Sequence, residues 1–346
     1  MREIILHVGM HKTGSSAIQQ AMYGYDDGAT RYAHFPEPNH SHAMYSLFTE
    51  KPELYHIWRG QGLSQREVSE KLQAYGQLLE AELSSKNWSR LIISGEDMSV
   101  LTDTGKEKLL KYFLARGFAV RVIGFVRHPL QYAASFFQQH LKGGASRVEL
   151  VYPKYRKRFR HFFEMLSEEA VTLVDYDSEA ASRRDVLGAF FDQLDLAPAQ
   201  PLAIERVNES LSLPAIKLLL CLNRQAFETT GSHRHMQARD LFIEAVRRVY
   251  PISVYGKLSS ERSAELLPSK IASDWVFCTE HMKIKLDLPS NLADPENVDL
   301  HLSDFSDFPF EKIAALLEEL NFSPSLPGDP GSLVSSLYHY FLRSCP

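Results

Sequence analysis

The chain has 346 residues, 44% of them hydrophobic, which is enough to bury a sizeable core and excludes disorder of the whole chain. Its 43 acidic and 38 basic residues give a net charge of −5, so overall charge offers no argument for nucleic-acid binding. The three cysteines, Cys221, Cys278 and Cys345, are odd in number and form no Cys-x-x-Cys pair. They support neither a disulfide framework nor a cysteine zinc site, and fit a reducing, cytoplasmic setting.

The first element is an apolar strand, residues 4–8, without the longer apolar stretch and cleavage site of a secretory signal. A glycine-bounded loop leads from it into a helix over 15–23. A long connection, 29–50, carries His40-Ser41-His42 and is read as a loop. A helix at 65–83 precedes a short strand at 91–93, which runs into Gly95-Glu96-Asp97. A helix at 104–115 and a strand at 120–126 follow, the latter ending in Arg127-His128-Pro129 before a helix at 130–141. Lys142, Arg147, Lys154, Arg156, Lys157, Arg158 and Arg160 then crowd one segment, opposed only by Glu149. Such a segment is either a solvated helix face or a surface for an anionic ligand.

A helix at 155–166, a strand at 170–174 and helices at 183–194, 214–227 and 238–249 complete the main body, each helix with apolar residues at i, i+3, i+4 spacing. Strands rich in Val and Ile alternating with helices define an α/β fold with a mainly parallel sheet. Past residue 288 the composition turns to Pro, Asp, Ser and Asn, with helices expected at 310–320 and 333–342. Residues 287–320 hold nine acidic residues against Lys312 alone, so the body is mildly basic. The expected division is a nucleotide-binding domain, 1–288, with a helical extension, 289–346, packed on it. No segment is apolar enough for a membrane span, and oligomeric state is not legible.

The most informative stretch is Gly9-Met10-His11-Lys12-Thr13-Gly14-Ser15-Ser16, between strand and helix. Free amides at a helix N-terminus form an anion cradle. Gly9 and Gly14 keep the spacing of a Walker A loop, but Ser15 stands where that loop has its lysine, and Lys12 lies inside instead. An ordinary serine-capped turn is the bland alternative.

The stretch resembles the 5′-phosphosulfate-binding loop of sulfotransferases that use 3′-phosphoadenosine-5′-phosphosulfate (PAPS), particularly bacterial carbohydrate-type members. Arg127 at the end of its strand, followed eight residues later by Ser135, resembles the Arg…Ser pair that binds the nucleotide 3′-phosphate in that family. Arg206-Val207-Asn208-Glu209-Ser210-Leu211-Ser212 is similar to its Arg-x-Asn-x-Ser-Leu-Ser segment, although an N-cap cluster reads the same way. The Arg-Lys-Gly-x-x-Gly-Asp-Trp-Lys element of cytosolic small-molecule members is missing, which points toward a carbohydrate or another unusual hydroxyl acceptor. The resemblance implies a P-loop-type sheet and no metal, with the donor held by His11, Lys12, Thr13, Gly14, Ser15, Ser16, Arg127, Ser135, Arg206, Asn208 and Ser210. It also implies that Lys12 neutralises the leaving 5′-phosphate.

The acceptor's proton needs a general base. Glu96, at the carboxyl end of a strand, is the leading candidate, with His40 or His42 as alternatives; Glu96 or Asp97 reads equally as a capping acid or a Walker-B-like metal ligand. His-x-His pairs at His40/His42 and His233/His235 lack a third ligand at diagnostic spacing, so a metal site is rejected. Two other readings stay open: an ATP/Mg²⁺-dependent kinase, with Ser16 on the metal, and a nucleotide-binding module without turnover.

Overall fold

A computed structural model describes residues 2–148, 152–177, 186–196, 210–225, 233–258, 267, 270–282, 288, 301–322 and 329–345. In chain order the elements are β1 (Glu3–His7), α1 (Ser15–Met22), β2 (Thr30–Tyr32), α2 (Ser41–Phe48), α3 (His56–Gly60), α4 (Gln65–Ser84), β3 (Arg90–Ser94), α5 (Asp103–Leu114) and β4 (Ala119–Val126). They continue with α6 (Pro129–Lys142), α7 (Tyr155–Met165), β5 (Val171–Asp175), α8 (Val186–Gln193), α9 (Leu213–Arg224), α10 (His233–Val249), α11 (Ile252–Tyr255), α12 (Ile271–Met282), α13 (Phe310–Glu319) and α14 (Pro330–Ser344). A 3₁₀ turn, Glu96–Val100, follows β3.

The chain packs as two compact units. The first joins Met1–His128, Lys154–Glu205 and Ala272–Leu286; the second joins Pro129–Pro153, Arg206–Ile271 and Asp287–Pro346.

The first unit holds a sheet of five parallel strands in the order β2-β3-β1-β4-β5, the P-loop type of α/β sheet. Residues of β1 pair on both sides, Leu6 with Ile93 and Val122 and His7 with Ser94 and Ile123. Such a strand needs apolar side chains on both faces, which explains its unbroken Ile4-Ile5-Leu6 run at 0% exposure. Ile5, Ile92, Ile123 and Phe125 meet Ile18 and Met22 of α1 and Leu187, Phe190 and Phe191 of α8 in one cluster. Each such side chain, fully buried, contributes about 1.5–3 kcal/mol of transfer free energy. Because β3 and β4 flank β1 on opposite sides, the chain reverses its direction of winding at β1. Ligands of open parallel sheets bind beyond the carboxyl end at that point, and here the Gly9–Gly14 loop occupies it.

The connection 29–50, expected as a loop, contains β2 and α2. Three residues are too few to show strand alternation, and α2 is rich in Ser, His and aromatic residues of modest helix propensity. Burial of Ala43, Met44 and Phe48 holds α2 in place. By contrast α4 announces itself: Ser64 Oγ accepts from the Glu67 amide at 3.3 Å while Glu67 Oε2 accepts from the Ser64 amide at 2.8 Å, a capping box.

The second unit is helical. Within it α14 packs against α9, α10 and α13, and α6 against α9. Asp329 caps α14 through the Ser332 amide at 2.6 Å, and Pro330 at its first position needs no hydrogen bond there. Among the described residues no helix is long and apolar enough to cross a membrane.

Candidate active site

The loop after β1 first continues alongside β4: the Val8 amide donates to the Ile123 carbonyl at 2.9 Å and the Met10 amide to Phe125 at 3.2 Å. It then turns through two left-handed residues, Lys12 at φ 71° and Gly14 at φ 75°. Gly14 tolerates this without strain, and a Cβ there would lie 2.8 Å from Val186 Cγ1. Thr13 Oγ1 donates to the Met10 carbonyl at 2.6 Å, and Ser15 Oγ lies 3.5 Å from the same oxygen. Both hydroxyls are buried and brace the loop from within, whereas Ser16 is exposed. Among the described residues, the amides of His11 to Ser16 donate to no protein acceptor. Successive unpaired amides at a helix N-terminus make a concavity suited to an anion.

Lys12 rises from this cradle. Burial, then the nearby Arg127 charge, holds its ammonium below the ordinary lysine range, against the pull of Glu96. Arg127, just past β4, donates through Nη1 to the Lys12 carbonyl at 3.2 Å and through Nε to Asp177 Oδ1 at 3.2 Å. Asp177 Oδ2 accepts from the His128 amide at 2.7 Å; burial raises its pKa, an effect that Arg127 opposes. Among the described residues Nη2 of Arg127 finds no acceptor. The Arg127 guanidinium stands 5.3 Å from the Tyr176 ring centroid.

The opposite rim is the 3₁₀ turn after β3. Gly95 brings it against α2, where a Cβ would meet the Ser41 backbone nitrogen at 2.7 Å. Glu96 Oε2 accepts from Asn39 Nδ2 at 3.3 Å, and Gln19 Nε2 reaches Asn39 Oδ1 at 3.4 Å. Burial, then the adjacent Asp97 charge, raises the Glu96 pKa. Asp97 accepts from the Tyr55 hydroxyl at 2.5 Å and lies 3.5 Å from His11 Nε2. Ser99 Oγ accepts from Arg158 Nη1 of α7 at 2.8 Å, which brings one residue of the basic segment to this rim.

The two histidines after Asn39 part company. His40 is 1% exposed, accepts from the Ser94 amide through Nδ1 at 3.1 Å and packs on Tyr32 and Phe35. Burial drives its pKa down to about 3, so it is a neutral core residue. His42 is half-buried against Tyr55 and Trp58.

The first unit thus brings together His11, Lys12, Glu96 and Arg127 around the amides of Thr13, Gly14, Ser15 and Ser16. Ser135 on α6 and Ser210 before α9 belong to the second unit. Arg206 and Asn208 lie outside the described residues. Asp177, Tyr55 and the pairing of Asp97 with His11 were not foreseen. Asp177 and Tyr55 have no motif of their own, and only the adjacency of Asp97 to Glu96 was a usable signal.

No protein-family model matches the chain, and no curated protein does. Among solved structures, the sulfotransferase domain from the Synechococcus PCC 7002 olefin synthase is similar with a TM-score of 0.37 and 15% identity, covering 83% of this chain and 95% of that one. The sulfotransferase domain from the curacin biosynthetic pathway is similar with a TM-score of 0.35 and 14% identity, covering 88% of this chain and 98% of that one. Neither likeness assigns a function to this chain.

Proposed function

We propose that the chain is a sulfotransferase that uses PAPS and transfers its sulfuryl group to a hydroxyl of a carbohydrate or another small acceptor. The observation that carries this reading is the amide cradle with Lys12 inside it and Arg127, a cation, at the next strand end. A Mg²⁺-dependent kinase instead places its lysine after the second glycine and needs an acid for its metal. Here Ser15 holds the lysine position, and the hydroxyl of Ser15 is turned inward on the Met10 carbonyl.

The donor set suits a doubly phosphorylated nucleotide. The amides of His11 to Ser16 would hold the 5′ end, and Arg127, with Nη2 open among the described residues, would hold the 3′-phosphate. PAPS when bound supplies an activated sulfuryl group on a phosphate leaving group. Lys12 neutralises charge as it builds on the departing oxygen, and the amides keep their dipoles fixed on it throughout. Preorganised donors of this kind are worth about 2.7–4 kcal/mol each. Burial weakens the hydration of the Lys12 ammonium, which strengthens its attraction for an anion. Removal of the acceptor's proton needs a base, and Glu96 on the opposite rim is one group at hand.

Thermal unfolding with 3′,5′-adenosine bisphosphate in the absence of metal, compared with ATP and Mg²⁺, tests the reading. A ligand at 100 times its dissociation constant stabilises by about 2.7 kcal/mol. Stabilisation by the bisphosphate alone is expected; stabilisation by ATP with Mg²⁺ alone would transfer the assignment to a kinase.

A further inference from the structure

The two carboxylates after β3 are neighbours in sequence yet serve different partners. Glu96 turns to Asn39 and to the Lys12 charge. Asp97 is 6% exposed and fixed from three directions: its amide donates to Ser41 Oγ at 3.2 Å, one carboxylate oxygen accepts from Tyr55 at 2.5 Å, and the other faces His11 Nε2 at 3.5 Å. Tyr55, itself 3% exposed, cannot swing away. His11 is different, with 40% of its side chain open to solvent at the lip of the cradle, one residue before Lys12.

A buried carboxylate requires donors for its oxygens. Tyr55 supplies one oxygen, and the other draws the proton of His11 onto Nε2. That tautomer leaves Nδ1 with an unshared pair. Burial, then the charges of Arg158 from α7, His56 from α3 and Lys12 from the loop itself, keep the imidazole below its ordinary range, while Asp97 alone pulls the other way. The ring is therefore neutral at pH 7 and able to accept a proton, and Asp97 stabilises the cation once it forms.

We propose that His11 is a catalytic residue of this site, the base that takes the acceptor's proton through Nδ1, with Asp97 and Tyr55 as positioning residues. The inference rests on the sulfotransferase reading. In the step the acceptor O–H bond breaks and its proton passes to His11. The acceptor oxygen bonds to sulfur, and the electron pair of the broken S–O bond stays on the 5′-phosphate beside Lys12. Glu96 then serves to hold the Lys12 ammonium.

Nuclear magnetic resonance of the full chain labelled with ¹⁵N-histidine, with the His11 signals assigned by their loss in His11→Gln, tests this. His11 should show the Nε2–H tautomer. Its midpoint should fall by about one unit or more in Asp97→Asn, because an opposite charge is removed. In Tyr55→Phe it should rise, because the Asp97 carboxylate then faces His11 without the competing Tyr55 hydroxyl. A purely structural contact would not move the midpoint in opposite directions. In parallel, sulfate release from PAPS to water should lose its acid limb in His11→Gln. An Nδ1–H tautomer, a midpoint unmoved in both variants, an acid limb retained in His11→Gln, or no turnover in the unmutated chain with bisphosphate bound would each overturn the base. Failure of the unmutated chain to bind the bisphosphate would instead overturn the sulfotransferase reading itself.

Discussion

Arg127 Nη1 lies 3.2 Å from the Lys12 carbonyl, so the end of β4 is tied to the loop after β1 by the side chain proposed to hold the nucleotide. The same guanidinium is the charge partner of Asp177. One group therefore shapes the loop, compensates a half-buried carboxylate and keeps one donor, Nη2, without an acceptor among the described residues. Arg127→Ala should weaken binding of 3′,5′-adenosine bisphosphate by about 1–3 kcal/mol, the usual worth of a charge-assisted hydrogen bond. Titration calorimetry would read this as a loss of roughly 5-fold to 150-fold. Unaltered affinity would remove Arg127 from the nucleotide site.

Lys12→Ala separates binding from transfer. In the proposed reaction the ammonium would strengthen its contact only as charge builds on the departing oxygen, so its loss should fall mainly on turnover. A drop of about 10²- to 10³-fold in turnover is expected. The acceptor's KM should change little. Alanine would keep the left-handed backbone at φ 71° as lysine does, so the comparison isolates the charge. Turnover equal to that of the unmutated chain would sink the role given to Lys12.

The contrast between these two residues shows what the sequence could say. Lys12 was legible because a strand, two glycines and a helix start converge on it within a few positions, and each of those signals is local. The parallel sheet was legible for the same reason, since β1, β3, β4 and β5 are short runs rich in Val, Ile and Leu. The partners of Arg127 and Asp97 are set by long-range contacts: Asp177 is 50 residues from Arg127, and Tyr55 is 42 from Asp97. No periodicity encodes such a pairing. Thr13 and Ser15 were legible as loop residues, but the inward turn of their hydroxyls follows from the left-handed bends at Lys12 and Gly14. His40 showed the opposite limit, because a polar pair in an expected loop gave no hint that Tyr32 and Phe35 would enclose it.

Gly95→Ala tests the contact between the 3₁₀ turn and α2. An added Cβ would lie 2.7 Å from the Ser41 nitrogen and 2.9 Å from its Cα, both backbone atoms that cannot rotate away. Overpacking of this kind costs about 1–3 kcal/mol. Calorimetry should show a lower Tm, and the His11 resonance should shift because Ser41 also holds the Asp97 amide. An unchanged Tm would mean that α2 moves freely, contrary to its packing.

Acid should unfold the protein through two buried histidines. His7 Nδ1 lies 2.7 Å from Ser94 Oγ, and His40 Nδ1 accepts from the amide of the same serine. Both rings are 1% exposed, and neither Nε2 has a hydrogen-bond partner among the described residues. Burial lowers each pKa from 6.5 to about 3. The sign follows: above pH 6.5 both states are neutral and nothing is lost, whereas below it the unfolded chain binds protons that the folded chain refuses. Stability should therefore fall as pH drops from 6.5 toward 3. At pH 5 the cost is about 2 kcal/mol for each histidine, or about 4 kcal/mol for the pair. Urea unfolding at pH 7, 6 and 5 would show it as a declining midpoint at constant slope. His40→Gln should shallow the decline by close to one proton, since it removes one of the two groups. Stability that stays level between pH 6.5 and 5 would mean that these rings gain a proton inside the folded core, and with it that Ser94 does not hold them as found.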